Sequence, residues 1–140
     1  MKKICVLGAG SWGTALSIVL SNNGHDVTVW SIDPEEVLML NDYREQRDKL
    51  PGVMVPSVIV FTNNMELALR DAEIIVCAVP SLFVRSTMKS ASAYIKEGSI
   101  VVDVAKGIED NTFKTMTEII EEECPQAETA ILSGPSHAEE

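Results

Sequence analysis

The fold of this 140-residue chain is decided by the stretch GAGSWG at residues 8–13. It directly follows the apolar run at residues 4–7 and directly precedes a helix-like stretch at residues 14–20. A strand, a glycine turn and a helix in this order make up the phosphate-binding turn of a dinucleotide-binding fold. The alternative interpretation is a tight strand-to-helix turn that binds nothing. The rest of the sequence has to distinguish these two interpretations.

Each of the three glycines has a distinct expected role in that turn. Gly8 permits the tight turn, Gly10 lets the main chain approach a pyrophosphate, and Gly13 lets the helix pack close to the strand. The helix that begins at about Ser11 presents unbonded N–H groups and a partial positive charge to the phosphates. We therefore expect the pyrophosphate of a dinucleotide to lie at residues 8–13.

Strand and helix patterns alternate along the chain with short connections. Six apolar strands joined by helices predict an α/β fold, a doubly wound parallel sheet of the Rossmann-like kind. The predicted strands are Lys3–Leu7, Asp26–Trp30, Val58–Phe61, Ile74–Val79, Ile100–Val104 and Thr129–Leu132. The predicted helices cover residues 11–22, 34–41, 65–69 and 113–123, another begins near Ser81, and residues 42–56 are expected to form a loop.

The start of the second helix carries its own signals. Asp33 suits an N-cap, Pro34 suits the first helical position, and Glu36 suits the glutamate of a capping box. Asp33 also lies twenty residues after Gly13, where an acidic residue that binds the adenosine ribose is expected. Both interpretations of Asp33 remain open at this point.

The ligand crevice is expected at the carboxyl ends of the strands, with the switch point between the first and fourth. Segments 8–13, 31–33, 79–83 and 104–107 would line it, with the segment after the sixth strand. Lys106 can hold a phosphate or polarise a carbonyl, or it is an exposed loop lysine. Pro80 can pack on adenosine or nicotinamide, or it simply ends its strand. Residues 133–140, SGPSHAEE, can bind a second anion or the nicotinamide end, or form an ordinary loop.

Charge and cysteine content narrow the class of protein. The formal net charge is −10, which argues against nucleic acid and anionic membrane surfaces as partners. The three cysteines are dispersed, no Cys/His cluster suggests a metal, and this pattern suits a reducing cytoplasm. No apolar run is long enough to span a bilayer, and no signal peptide is visible. The expectation is a cytoplasmic protein without a metal site and without membrane insertion.

Five motifs together resemble one enzyme family: GAGSWGTAL from residue 8, LPG at 50–52, AVPS at 78–81, KGIE at 106–109 and SGPSHAEE at 133–140. In this order and spacing they resemble bacterial NAD(P)-dependent glycerol-3-phosphate dehydrogenase along the whole chain. The resemblance implies reduction of dihydroxyacetone phosphate to sn-glycerol 3-phosphate for glycerophospholipid synthesis. One alternative is another two-domain dehydrogenase of 3-hydroxyacids or sugar nucleotides, against which KGIE and SGPSHAEE argue. The other is a nucleotide-sensing regulatory module, which needs no substrate-side lysine.

The resemblance also implies roles for individual residues. Ser11, Trp12 and Ala138 would contact the dinucleotide, Lys106 would touch both cofactor and substrate, and Gly134 and Ser136 would bind the substrate. The family's catalytic lysine and most of its substrate pocket belong to a helical domain beyond residue 140. Residues 1–140 are thus expected to be an incomplete dinucleotide-binding domain, inactive by itself, from an enzyme that forms a homodimer.

The expected cofactor is NAD or NADP, and two departures from the family bear on the choice. Family members that use NADPH often carry a basic or His residue just after the second strand, where this chain has SID at residues 31–33, and many have a tyrosine at the position of Lys49. A 2′-phosphate would meet no guanidinium at residues 31–33, whereas Ser31 or Asp33 can accept a hydrogen bond from a 2′-hydroxyl. NADH is therefore expected to be favoured, unless a basic residue of the following loop supplies the missing charge.

Overall fold

A six-stranded parallel sheet runs through the computed structural model, which describes residues 1–132. Its strands are β1 (Lys3–Leu7), β2 (Asp26–Trp30), β3 (Val60–Thr62), β4 (Ile74–Cys77), β5 (Ile100–Asp103) and β6 (Glu128–Ile131). They lie in the order β3-β2-β1-β4-β5-β6, and every neighbouring pair is parallel. The predicted doubly wound α/β fold is confirmed, with its switch point between β1 and β4.

Helices connect these strands, and most of them begin at a side-chain cap. They are α1 (Ser11–Asn22), α2 (Pro34–Tyr43), α3 (Met65–Leu69), α4 (Val84–Ala91) and α5 (Met116–Glu123), and short 3-10 turns at Ser81–Phe83 and Ser92–Tyr94 flank α4. Within residues 1–132, no helix is long and apolar enough to cross a membrane.

Helix α5 begins later than predicted. Thr115 is its N-cap and forms a reciprocal capping box with Glu118, while Phe113 has a left-handed φ of 59°. The prediction of a start at Phe113 was wrong because it overlooked this capping pair, which satisfies main-chain amides at the true helix start.

The core lies on both faces of the sheet because successive strand residues point to opposite sides. Ile4 and Val6 of β1 belong to one buried cluster, which includes Leu40 of α2. Cys5 and Leu7 belong to the other, against residues of α3, α4 and α5. This arrangement leaves the carboxyl ends of the strands as the edge where connecting segments meet.

The predicted loop at residues 42–56 is wrong in part, because it contains an antiparallel hairpin. Glu45–Gln46 pairs with Leu50–Met54, and this pair of short strands is called the hairpin below. Arg44 ends α2 with a left-handed φ of 52°, which turns the chain into the hairpin. The buried position of the hairpin holds Gln46 rather than an apolar residue, so the sequence showed no strand-like alternation.

Candidate functional site

A cleft of about 970 Å³ opens at the carboxyl ends of the strands. Four chain segments line it: residues 8–12 of the glycine turn, 30–33 at the end of β2, 78–81 with Phe83 after β4, and 104–106 after β5. These are the segments that the sequence placed at the crevice, and Leu132 after β6 lines it as well. The topology of the sheet therefore brings five distant parts of the chain together at one site.

Most of the candidate site residues lie in the wall of this cleft. They are Gly8, Gly10, Ser11, Trp12, Ser31, Pro80 and Lys106. Gly13 lies behind the wall, where it packs against the glycine turn. The predicted residues Gly134, Ser136 and Ala138 lie outside the described residues.

The three glycines of the turn differ in what a side chain would meet. Gly8 has a φ of +113°, and a Cβ there would lie 2.8 Å from the main-chain oxygen of Ala78. A Cβ on Gly13 would collide with the main-chain oxygen of Gly8. At Gly10 the φ is −72°, which any residue adopts, and a Cβ would approach only Lys49 Cδ, at 3.8 Å. Packing within the described residues explains Gly8 and Gly13, whereas the space above Gly10 suits a ligand.

The N-terminus of α1 differs from those of α2, α3 and α5, which are capped by side chains. It has no side-chain cap and no acidic residue in its first turn. By contrast, Asp33, Asn64 and Thr115 cap α2, α3 and α5 with their side chains. The first amides of a helix have no partner within that helix, so those of α1 can donate to an anion in the cleft.

The wall beside β2 is held by a network around the carboxylate of Glu36. Ser31 Oγ donates to Glu36 Oε1 over 2.6 Å, and Gln46 Nε2 and Lys49 Nζ both donate to Oε2 over 2.9 Å. Asp33 accepts from the amide of Glu35 and is confirmed as an N-cap. The capping-box prediction for Glu36 was wrong, because an amide and an ammonium from the hairpin bind this carboxylate instead.

Glu36 and Lys49 line the cleft although neither was among the predicted site residues. Glu36 had been interpreted only as a helix cap. Lys49 was noted only as a departure at the position before Leu-Pro, since the hairpin that carries it was not predicted. The part of the cleft beside β2 thus contains an ion pair, between Lys49 and Glu36, that spacing alone did not indicate.

On the opposite side, Asp103 shapes the turn that carries Lys106. Its buried carboxylate accepts from the amide of Ala105 over 2.9 Å and from Thr117 Oγ1 over 3.0 Å. Burial raises the pKa of Asp103 above its ordinary value. These bonds fix the main chain directly before Lys106, which lines the cleft.

The segment after Lys106 is tied to α4 and α5 by ion pairs on Arg85. Arg85 Nε lies 2.8 Å from a carboxylate oxygen of Glu109, and Arg85 Nη1 lies 2.8 Å from Glu122 and 2.6 Å from Glu123. Hydrogen bonds from Arg85 and then from Thr112 lower the pKa of Glu109 to about 2. Glu122 and Glu123 of α5 therefore contribute to this cluster.

We expect Arg85→Gln to lower the melting temperature near neutral pH, and the deficit to shrink in acid. The lowered pKa of Glu109 means that its contribution is present above its ordinary pKa of 4.5 and is lost as the pH falls toward about 2. Thermal unfolding of both proteins from pH 7 to pH 2.5 measures this, with Arg70→Gln, an exposed arginine outside the cluster, as the control. A deficit independent of pH would contradict the assignment.

Comparisons with known proteins agree with this arrangement. A model of the family described as the N-terminus of NAD-dependent glycerol-3-phosphate dehydrogenase matches residues 3–140. The whole chain is 51% identical to glycerol-3-phosphate dehydrogenase [NAD(P)+] of Agathobacter rectalis and 49% identical to that of Fusobacterium nucleatum, and it spans 42% of each relative. A crystal structure of glycerol-3-phosphate dehydrogenase from Coxiella burnetii matches with a TM-score of 0.89 and 28% identity, over 98% of this chain and 42% of that one. The chain thus belongs to the family of NAD-dependent glycerol-3-phosphate dehydrogenases, and it corresponds to their N-terminal region.

Proposed function

We propose that residues 1–140 are the dinucleotide-binding domain of a glycerol-3-phosphate dehydrogenase. The complete enzyme would interconvert dihydroxyacetone phosphate and sn-glycerol 3-phosphate with NAD(P)H and so supply glycerophospholipid synthesis. The observation that carries the proposal is the cleft, which joins an uncapped helix N-terminus to Lys106 across the switch point. Family membership favours it over another 3-hydroxyacid or sugar-nucleotide dehydrogenase and over a nucleotide-sensing module.

The residues of the cleft fit a dinucleotide. The open amides of α1 at Ser11 and Trp12, with the space above Gly10, would hold the pyrophosphate, and Gly8 and Gly13 would shape the turn. Ser31 would face the adenosine ribose, and Pro80 would pack on the nicotinamide side of the cleft. Resemblance to the family adds Ala138 to this set.

The protein's own residues then orient the substrate. The ammonium of Lys106 would hold the substrate and touch the cofactor, since its positive charge suits a phosphate or a polarised carbonyl oxygen. Gly134 and Ser136 would complete the substrate contacts, as the family resemblance implies. Bound NAD(P)H supplies the hydride, and a lysine outside residues 1–140 would supply the proton.

An assay of the full-length protein tests the proposal. We expect reduction of dihydroxyacetone phosphate with NADH or NADPH, and dinucleotide binding without turnover by residues 1–140 alone. Turnover of a 3-hydroxyacid or sugar nucleotide instead would favour the other dehydrogenases. Tight dinucleotide binding without turnover of any of these substrates would favour the regulatory module.

The proposal also covers the cellular location, the partners and the oligomeric state of the enzyme. A cytoplasmic location is supported by the three cysteines, which are buried and form no disulfide. Burial also raises the pKa of Cys5 and of Cys77 to about 12, so these thiols stay protonated at neutral pH. The net charge of −10 supports a protein that binds no nucleic acid. A homodimer of the complete enzyme rests on the family resemblance.

We expect the full-length enzyme to prefer NADH over NADPH. The cleft wall after β2 presents Ser31, Ile32 and Asp33, and the nearby ammonium of Lys49 is bound to Glu36. Ile32→Arg should shift the ratio of the two kcat/KM values toward NADPH by about tenfold, because an arginine can donate to the 2′-phosphate.

The matched control is Val58→Arg, which adds the same charge at an exposed apolar residue outside the cleft. It should leave the ratio of the two kcat/KM values unchanged. A clear NADPH preference of the unaltered enzyme would contradict the prediction. It would mean that a basic residue of the loop after α2, such as Lys49, binds the 2′-phosphate.

A further inference from the structure

The side chain of Gln46 is buried directly behind the cleft wall. It is fully buried, and both of its polar atoms form hydrogen bonds. Nε2 donates to the main-chain oxygen of Ala9 over 2.5 Å and to Glu36 Oε2 over 2.9 Å, and Oε1 accepts from the amide of Asp48 over 3.3 Å. A buried amide with every partner in place holds its neighbours firmly, because any movement leaves polar groups unpaired.

The contact with Ala9 acts on the glycine turn itself. The carbonyl of Ala9 belongs to the peptide that leads into Gly10, and this peptide is trans. In a planar trans peptide the C=O and N–H point in opposite directions, so a fixed Ala9 oxygen also fixes the Gly10 amide. Thr14 Oγ1 donates to the same oxygen over 3.1 Å, so two buried side chains set this plane.

The carboxylate of Glu36 depends less on Gln46 than the Ala9 oxygen does, because it has more hydrogen-bond donors. Glu36 also accepts from Ser31 Oγ and from Lys49 Nζ, so loss of Gln46 leaves two of its three partners. Loss of Gln46 leaves the Ala9 oxygen with the hydroxyl of Thr14. Removal of the Gln46 amide should therefore disturb the glycine turn more than the adenosine end of the cleft.

We infer that Gln46 is a positioning residue for pyrophosphate binding. Through it the hairpin, which contributes no residue to the glycine turn, fixes the turn in the conformation that receives the phosphates. The inference rests on the proposed dinucleotide function of the cleft. It assigns to Gln46 an effect on phosphate-bearing ligands that a purely structural glutamine would not have.

Calorimetric titration of the protein with NAD⁺, ADP and adenosine tests this. Gln46→Met removes the amide and nearly keeps the volume, and we expect it to weaken NAD⁺ and ADP binding about tenfold and adenosine binding less than about twofold. Thr14→Val should produce the same selectivity with a smaller loss, about threefold for ADP. If Gln46→Met fails to fold, Thr14→Val still tests whether the donors to the Ala9 oxygen control phosphate binding.

The matched control is Gln126→Met, the same change at a glutamine whose amide donates to the main-chain oxygens of Ser92 and Ile95 outside the cleft. It should leave the affinities for all three ligands unchanged. Equal losses for ADP and adenosine, or unchanged ADP affinity in the folded variants, would overturn the inference alone. Failure of the unaltered protein to bind NAD⁺ and ADP would overturn the proposed function and this inference with it.

Discussion

Exchange of Gly13 for alanine should strongly destabilise the fold, whereas the same exchange at Gly10 should leave the stability unchanged and prevent tight binding of a dinucleotide. A Cβ at Gly13 meets the main-chain oxygen of Gly8, which cannot retreat because Gly8 itself packs against the main chain of Ala78. The gain in helix propensity from glycine to alanine is about 1 kcal/mol. The collision exceeds it, and we expect a net loss of about 3 kcal/mol or more in the free energy of unfolding.

At Gly10 the balance is reversed. The main chain has a φ of −72°, and the nearest atom to an added Cβ is Lys49 Cδ at 3.8 Å, so the fold accepts the methyl group. The same methyl would occupy the space through which a pyrophosphate reaches the main chain. Loss of charge-assisted hydrogen bonds from the amides to the phosphates should weaken NAD⁺ binding about 10-fold to 100-fold.

Urea unfolding and NAD⁺ titration of both variants separate the two effects, and each variant is the control for the other. Gly10→Ala should keep the midpoint of unfolding of the unaltered protein. If Gly10→Ala binds NAD⁺ as tightly as the unaltered protein, the glycine turn is structural and the cleft is not a pyrophosphate site.

Short sequence patterns predicted those elements whose bounds depend on neighbouring residues in the sequence. The bounds of β1, α1, β2 and α3 agree with the predicted ones, and apolar runs and the glycine turn mark the first three directly. The switch point between the first and fourth strands followed from the general topology of such folds. Strand ends elsewhere shifted by one or two residues, since a strand ends where its pairing ends rather than where its apolar run ends.

The part of the cleft beside β2 was less predictable because its residues act through tertiary contacts. Gln46 is a polar residue in a buried position, so a hydrophobic pattern cannot reveal it. Glu36 has the spacing of a capping box, but its carboxylate binds the hairpin, which no local signal had indicated. A residue whose partner comes from an unpredicted element is given the wrong role even where its own helix is predicted correctly.

Both the position of Lys106 after the fifth strand and the family resemblance make it a candidate for substrate binding. In the full-length enzyme, Lys106→Ala should lower kcat/KM for dihydroxyacetone phosphate by about 10-fold to 100-fold, because a charge-assisted contact contributes about 1.5–3 kcal/mol. The turn should persist, since the Asp103 carboxylate holds it through Ala105 and Thr117.

Lys96→Ala is the matched control, because Lys96 is an exposed lysine before β5, at the opposite end of the sheet. Both variants lose one positive charge from a protein of net charge −10, so any general electrostatic effect on an anionic substrate is common to them. A specific contact at Lys106 therefore appears as the difference between the two kcat/KM values. If that difference is absent while the melting temperature of Lys106→Ala falls, Lys106 stabilises its loop and does not bind the substrate.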